Sequence, residues 1–126
     1  MTASSSYPTV VLVHGAFADA SGFAGVIREL QSAGVSVVAP PNPERGLASD
    51  AASVGAVVGA IDGPVLMVGH SYGGAVMTQA SASLPNVVGL VYLAAFGLDE
   101  GESVGAVQAP FAVPLLAANA RHLAWA

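Results

Sequence analysis

Gly69-His70-Ser71-Tyr72-Gly73 is a G-x-S-x-G pattern, set between the apolar run Val65-Leu-Met-Val68 and a helix-forming stretch that starts at Ala75. A serine placed where a buried strand turns sharply into a helix is held in a strained backbone conformation. Side chains two positions before and after it would collide. Glycine at 69 and 73 removes that collision, and Gly74 lets the helix lie close to the sheet. The hydroxyl is then lifted to the carboxyl end of the sheet, over a helix N-terminus that favours developing negative charge. The chemistry such a serine performs is nucleophilic attack on an acyl carbon. The competing reading is an ordinary glycine turn in which Ser71 caps the following helix. No Lys follows the glycines, and no G-x-G-x-x-G occurs, so neither a P-loop nor a dinucleotide site is supported.

A second group, His14-Gly15-Ala16, directly follows the apolar run Thr9-Val-Val-Leu-Val13. An oxyanion needs two backbone donors, one from the residue after the nucleophile and one from the loop after the first strand. Tyr72 N–H is the first. Ala16 N–H is the choice for the second, with Phe17 as the fallback. Gly15 allows the loop to turn inward. His14 reads as a structural tie for this loop through its ring nitrogens rather than as a proton shuttle.

These groups require a scaffold that brings two loops to one end of a sheet. Residues 9–13, 35–39, 65–68 and 87–93 are short apolar runs rich in β-branched residues, the pattern of strands buried on both faces. Helical patterns lie between them. Phe23, Val26, Ile27 and Leu30 form one stripe opposite Arg28 and Glu29, and Gly34 stops that helix. Residues 47–61 form a second helix, with Gly55 and Gly59 as a packing face, and 75–83 a third. Repeated alternation of strand and helix predicts an α/β chain, a parallel sheet with flanking helices. Residues 1–7 read as a flexible tail, 8–96 as the core, and 97–126 as a partial cap or an unsupported C-terminal segment.

Composition narrows the functions available. Hydrophobic residues are 54% of the 126 and charged residues 9%, against roughly 25% charged in an ordinary soluble domain, which excludes disorder. Three Lys+Arg against eight Asp+Glu give a net charge of −5 with no basic run, which argues against nucleic-acid binding. Cysteine is absent, so disulfides, thiolate nucleophiles and Cys-based metal sites are excluded. No apolar segment reaches the roughly 18 residues of a membrane span, because Pro110 and Pro114 break the stretch 104–120. No positive region precedes residues 9–13 as a signal peptide would require. The expectation is a cytoplasmic protein without a membrane partner, its oligomeric state unspecified.

Together these features resemble the N-terminal half of the α/β-hydrolase fold superfamily, close to small cofactor-free esterases of the plant methylesterase and hydroxynitrile lyase kind and their bacterial relatives. The resemblance spans about residues 8 to 104. It rests on VLVHGA at 11–16, the Pro-rich turn with Gly46, VGHSYGG at 68–74, and LVYLAAF at 90–96 followed by Asp99-Glu100-Gly101. It implies a three-layer sandwich, a truncated α/β-hydrolase fold, with strands in the order second, first, third, fourth. It also implies Ser71 as nucleophile, the Ala16 and Tyr72 amides as oxyanion hole, and His70 as the pocket-side neighbour of the nucleophile. His14, Gly15, Gly69 and Gly73 support that motif, and no cofactor or metal is implied.

The family's acid and histidine follow the serine on later strands. Here the one histidine after Ser71 is His122, with no strand before it, and Asp99 stands where some hydrolases carry their acid. Neither is favoured. The expectation is a shortened hydrolase lacking both groups, its fourth strand left as an exposed apolar edge. The expected function is acyl transfer through Ser71 on a small, uncharged or weakly charged ester. A lyase or perhydrolase using the same serine, and a non-catalytic binder of a small apolar ligand, are the alternatives.

Overall fold

The computed structural model describes residues 7–99 and 102–113. In them β1 (Thr9–Val13), β2 (Val37–Val38), β3 (Val65–Ser71) and β4 (Val87–Ala95) form a four-stranded, all-parallel sheet in the order β2-β1-β3-β4. Direction and order are those expected. A 3-10 turn at Ala20–Phe23 leads into α1 (Ala24–Ser32), and α2 (Leu47–Gly59), α3 (Tyr72–Ser81) and the short α4 (Val104–Gln108) follow.

Alternation along β1 explains why the sheet carries helices on both faces. Val11 and Val13 point to one side, where they meet Val54 and Val58 of α2 and Val76 and Met77 of α3. Val10 and Leu12 point to the other, where they meet Phe23 and the Ile27 and Leu30 side chains of α1. The result is three layers around two apolar clusters. A continuous β-branched run is what a strand covered on both faces requires.

Several boundaries differ from the sequence reading. The second strand is two residues long, not five, because Val35 belongs to the end of α1. Gly34 turns at φ 80° and Val35 N–H bonds Leu30 O at 3.0 Å, closing the helix before pairing begins. Pro40 and Pro41 then end the strand, since neither has an N–H to donate. Val26, expected on the buried stripe of α1, is 42% exposed, because the helix packs at the short β2 edge and only Ile27 and Leu30 reach the cluster. The expected turn at 69–74 also does not form as such. The third strand runs on through Ser71 and the helix starts at Tyr72, leaving a turn one residue wide.

β4 is longer than expected because it follows β3 to its end. A bulge at Ala94, with φ 42°, shifts the register so that Leu93 pairs with His70 and Ala95 with Ser71. Its outer edge has no partner strand among the described residues, and Val88, Val91, Tyr92 and Leu93 are exposed on it, as anticipated for that strand. Tyr92 OH and Thr78 Oγ1 lie 2.6 Å apart, tying β4 to α3. Asn86 Nδ2 donates to Val58 O at 2.9 Å and Ile61 O at 3.3 Å, satisfying carbonyls at the end of α2.

Among the described residues no helix is long and apolar enough to cross a membrane. The tail expected at 1–7 lies outside the described residues apart from Tyr7, and so does half of the segment 97–126, including His122.

Candidate active site

Ser71 ends β3 and is the N-cap of α3, with φ 52° and ψ −123°. A positive φ at a residue bearing a Cβ is a strained conformation that the surroundings must enforce. The Ser71 side chain makes no capping bond to α3. The geometry is therefore not that of a serine recruited to cap a helix.

Three glycines make the turn sterically possible. A Cβ on Gly69 would lie 2.8 Å from the carbonyl of Gly73, so the two flanking glycines meet each other across the serine. On Gly73 it would lie 2.2 Å from Val13 O, and on Gly74 2.7 Å from Ala95 Cβ and Phe96 O. α3 is thus seated against the ends of β1 and β4, closer than any side chain permits. Phe96 N–H donates to Ser71 O at 3.2 Å, fixing the turn from the β4 side.

The loop after β1 reaches the serine directly. A Cβ on Gly15 would stand 2.9 Å from Ser71 Cβ, 3.0 Å from His70 O and 3.5 Å from Ser71 Oγ. Only glycine allows this approach. Ala16 N–H and Tyr72 N–H, the two amides singled out as oxyanion donors, have no acceptor among the described residues. The N-terminus of the ten-residue α3 adds its dipole at the same point. Gly15→Ala is expected to push this loop off the serine. Reaction of Ser71 with a phosphonylating reagent should slow by about 10²-fold, the scale of one lost oxyanion donor, while urea unfolding shows the chain still folded. Wild-type reactivity in that variant would separate the loop from the serine's chemistry.

The profile of the alpha/beta hydrolase family matches residues 10–126 of this chain. The chain belongs to the alpha/beta hydrolase family. Solved structures similar to this family member include a variant of the pyrethroid hydrolase PytH, at 28% identity and TM-score 0.59, covering 71% of this chain and 40% of that one. PytH with BIF matches at 25% identity and TM-score 0.63, covering 70% and 40%. A pyrethroid hydrolase from Sphingobium faniae JZ-2 matches at 26% and TM-score 0.59, covering 70% and 40%. This hydrolase-family chain therefore spans about 40% of the length of these structures. No protein of curated function matches it.

Within this alpha/beta hydrolase chain, His14 is buried and ties two loops. Its Nε2 accepts Asn42 N–H at 2.9 Å, and its Nδ1 lies 2.9 Å from Gly15 O, partners that assign the ring proton to Nδ1. Asn42 Nδ2 donates to His14 O at 3.0 Å, and Glu44 Oε1 stands 3.8 Å from Nδ1. His70 is exposed, and its ring has no hydrogen-bond partner among the described residues.

The sequence reading missed Asp50. It is fully buried in the first turn of α2, accepting Arg45 N–H at 3.0 Å, Gly46 N–H at 3.4 Å and Tyr72 O–H at 2.5 Å. Burial first, then the hydrogen bond to Asp50 and the charges of Asp50 and Glu44, push the Tyr72 phenol above its ordinary range, so it stays a donor. A sequence signal was present. Asp50, Val54 and Val58 recur every four residues, which places the carboxylate on the buried stripe.

No hydrogen-bond partner meets Ser71 Oγ among the described residues, so neither Asp99 nor any described histidine is joined to it. Asp99 instead helps line a cleft of about 770 Å³ along α3, with Leu47, Ala75, Thr78, Leu98 and Glu102. Ser71 does not line that cleft. At the serine turn a positive φ and the close approach of the Gly15 backbone coincide. No group of three His, Asp or Glu able to hold a metal occurs among the described residues.

Proposed function

We propose that this chain carries the nucleophile and oxyanion donors of a serine hydrolase acting on a carboxylic ester. The observation that carries the reading is Ser71 at φ 52° with the backbone of Gly15 against its side chain. In this mechanism Ser71 Oγ attacks the ester carbonyl carbon, and the carbonyl oxygen gains negative charge facing the Ala16 and Tyr72 amides. The tetrahedral intermediate expels the alcohol and leaves an acyl-serine, which water then hydrolyses. A general base must take the Oγ proton, and it is not among the groups described around Ser71. Within the sequence His122 is the candidate for that base and Asp99 for the acid behind it, and neither is favoured.

Similarity to pyrethroid hydrolases supports an ester substrate. The mostly apolar segment 97–126 argues against a highly charged substrate. A lyase or perhydrolase would use the same serine. That Ser71 Oγ meets no hydrogen-bond partner among the described residues favours a second reading, a non-catalytic binder of a small apolar ligand. The two readings separate with an alkyl fluorophosphonate followed by mass spectrometry. The hydrolase reading expects a slow, single adduct on Ser71, absent from Ser71→Ala and from urea-unfolded chain. An unlabelled native chain would leave the binder.

A further inference from the structure

We propose that Asp50 is a positioning residue for the oxyanion donor at Tyr72, acting through the Tyr72 phenol. This rests on the proposed role of the Tyr72 amide. Asp50 is completely buried and has no cation within ion-pair distance among the described residues. An unpaired buried carboxylate is strongly unfavourable unless hydrogen bonds replace its water. Those bonds are the amides of Arg45 and Gly46 and the Tyr72 hydroxyl. On packing grounds alone a leucine would suit the position, since Val54 and Val58 on the same stripe are wholly apolar and buried.

What the carboxylate adds is a grip on the first residue of α3. Tyr72 follows a serine at φ 52°, and that serine gives the helix no side-chain cap. Backbone strain there would relax by rotating the 71–72 peptide, which is the peptide that carries the donor N–H. Anchoring the phenol to α2 at 2.5 Å resists the rotation. Through Arg45 and Gly46 the same carboxylate holds the segment whose Asn42 binds His14, one residue before Gly15. Both candidate donors thus hang from one buried acid, the Tyr72 amide most directly.

The test compares the whole chain with Tyr72→Phe, Asp50→Ala and Asp50→Asn by two readouts. The first is phosphonylation of Ser71 as a function of reagent concentration. The second is amide hydrogen exchange in the first turn of α3, at Ala75 and Val76, against Val11 and Met67 in the sheet. Tyr72→Phe is expected to lower the maximal phosphonylation rate about tenfold, less than the roughly 10²–10³ of a lost donor, without moving the half-saturating concentration. Exchange at Ala75 and Val76 should accelerate about tenfold while the sheet amides keep their protection. Asp50→Ala should match it, and Asp50→Asn, which keeps an acceptor for the phenol, should recover to within about threefold of wild type. Unchanged exchange and rate in Tyr72→Phe would overturn the proposal, as would acceleration spread evenly over sheet and helix. If Asp50→Ala does not fold, Tyr72→Phe decides, because there Asp50 keeps both amide bonds. If even the wild-type chain resists the reagent, the hydrolase reading fails, and the exchange pattern alone upholds or overturns the positioning role.

Discussion

Gly73→Ala is expected to remove the chain's cooperative thermal transition. The added Cβ would lie 2.2 Å from Val13 O and 2.9 Å from His14 O, and both atoms are backbone at the end of the central strand. Neither can swing aside as a side-chain tip would. Relief requires lifting α3 off the sheet, which would open the cluster of Val13, Val76 and Met77. Overpacking typically costs about 1–3 kcal/mol. A clash with backbone that cannot move belongs in the exceptional range above about 4 kcal/mol, a large share of the roughly 5–15 kcal/mol that holds a domain folded. Gly25→Ala is the control, since nothing lies within 4 Å of its Cβ and it sits inside α1. Alanine there should raise stability by about 0.5–1 kcal/mol. Circular dichroism melts of the two variants check this directly. A Gly73→Ala melt like wild type would mean that α3 is not seated on β1.

The second large effect is in turnover. The 126-residue chain is expected to hydrolyse an activated aryl acetate slowly, with Ser71→Ala changing the rate little. A serine hydroxyl at neutral pH is a weak nucleophile without a base, and Ser71 Oγ meets none among the described residues. In a serine protease, loss of the serine or histidine costs roughly 10⁶ in turnover, while oxyanion donors and binding retain about 10³–10⁴ over water. On the proposed reading, oxyanion donors with no base among the described residues correspond to the second regime. His122→Ala should likewise change little. A fast burst that depends on Ser71 and vanishes in His122→Ala would show a working base within this sequence and contradict that placement.

The parts of the structure legible in the sequence were those fixed by local sterics. Thr9–Val13 and Val65–Val68 are continuous apolar runs with β-branched residues, the pattern of strands covered on both faces. The serine turn was legible because Gly69, Gly73 and Gly74 answer collisions that any side chain there would meet. What the sequence did not show depends on residues distant in the chain. The Asp50–Tyr72 bond joins positions 22 apart, and neither residue type announces the pairing. β2 was overestimated because Val35 has a strand-like side chain but spends its N–H on α1. Position 99 was a weak candidate for a catalytic acid, and Asp99 lines a cleft along α3 that Ser71 does not line. The chemistry of a carboxylate reads from sequence more easily than its position does.

The measurement closest to the central claim is a crystal structure of the chain after phosphonylation. The expected adduct is covalent to Ser71 Oγ, with its phosphoryl oxygen about 2.7–3.1 Å from both the Ala16 and the Tyr72 amide nitrogens, the range for a working oxyanion hole. A phosphoryl oxygen turned to solvent, or held by the Phe17 amide in place of Ala16, would contradict the hole as assigned.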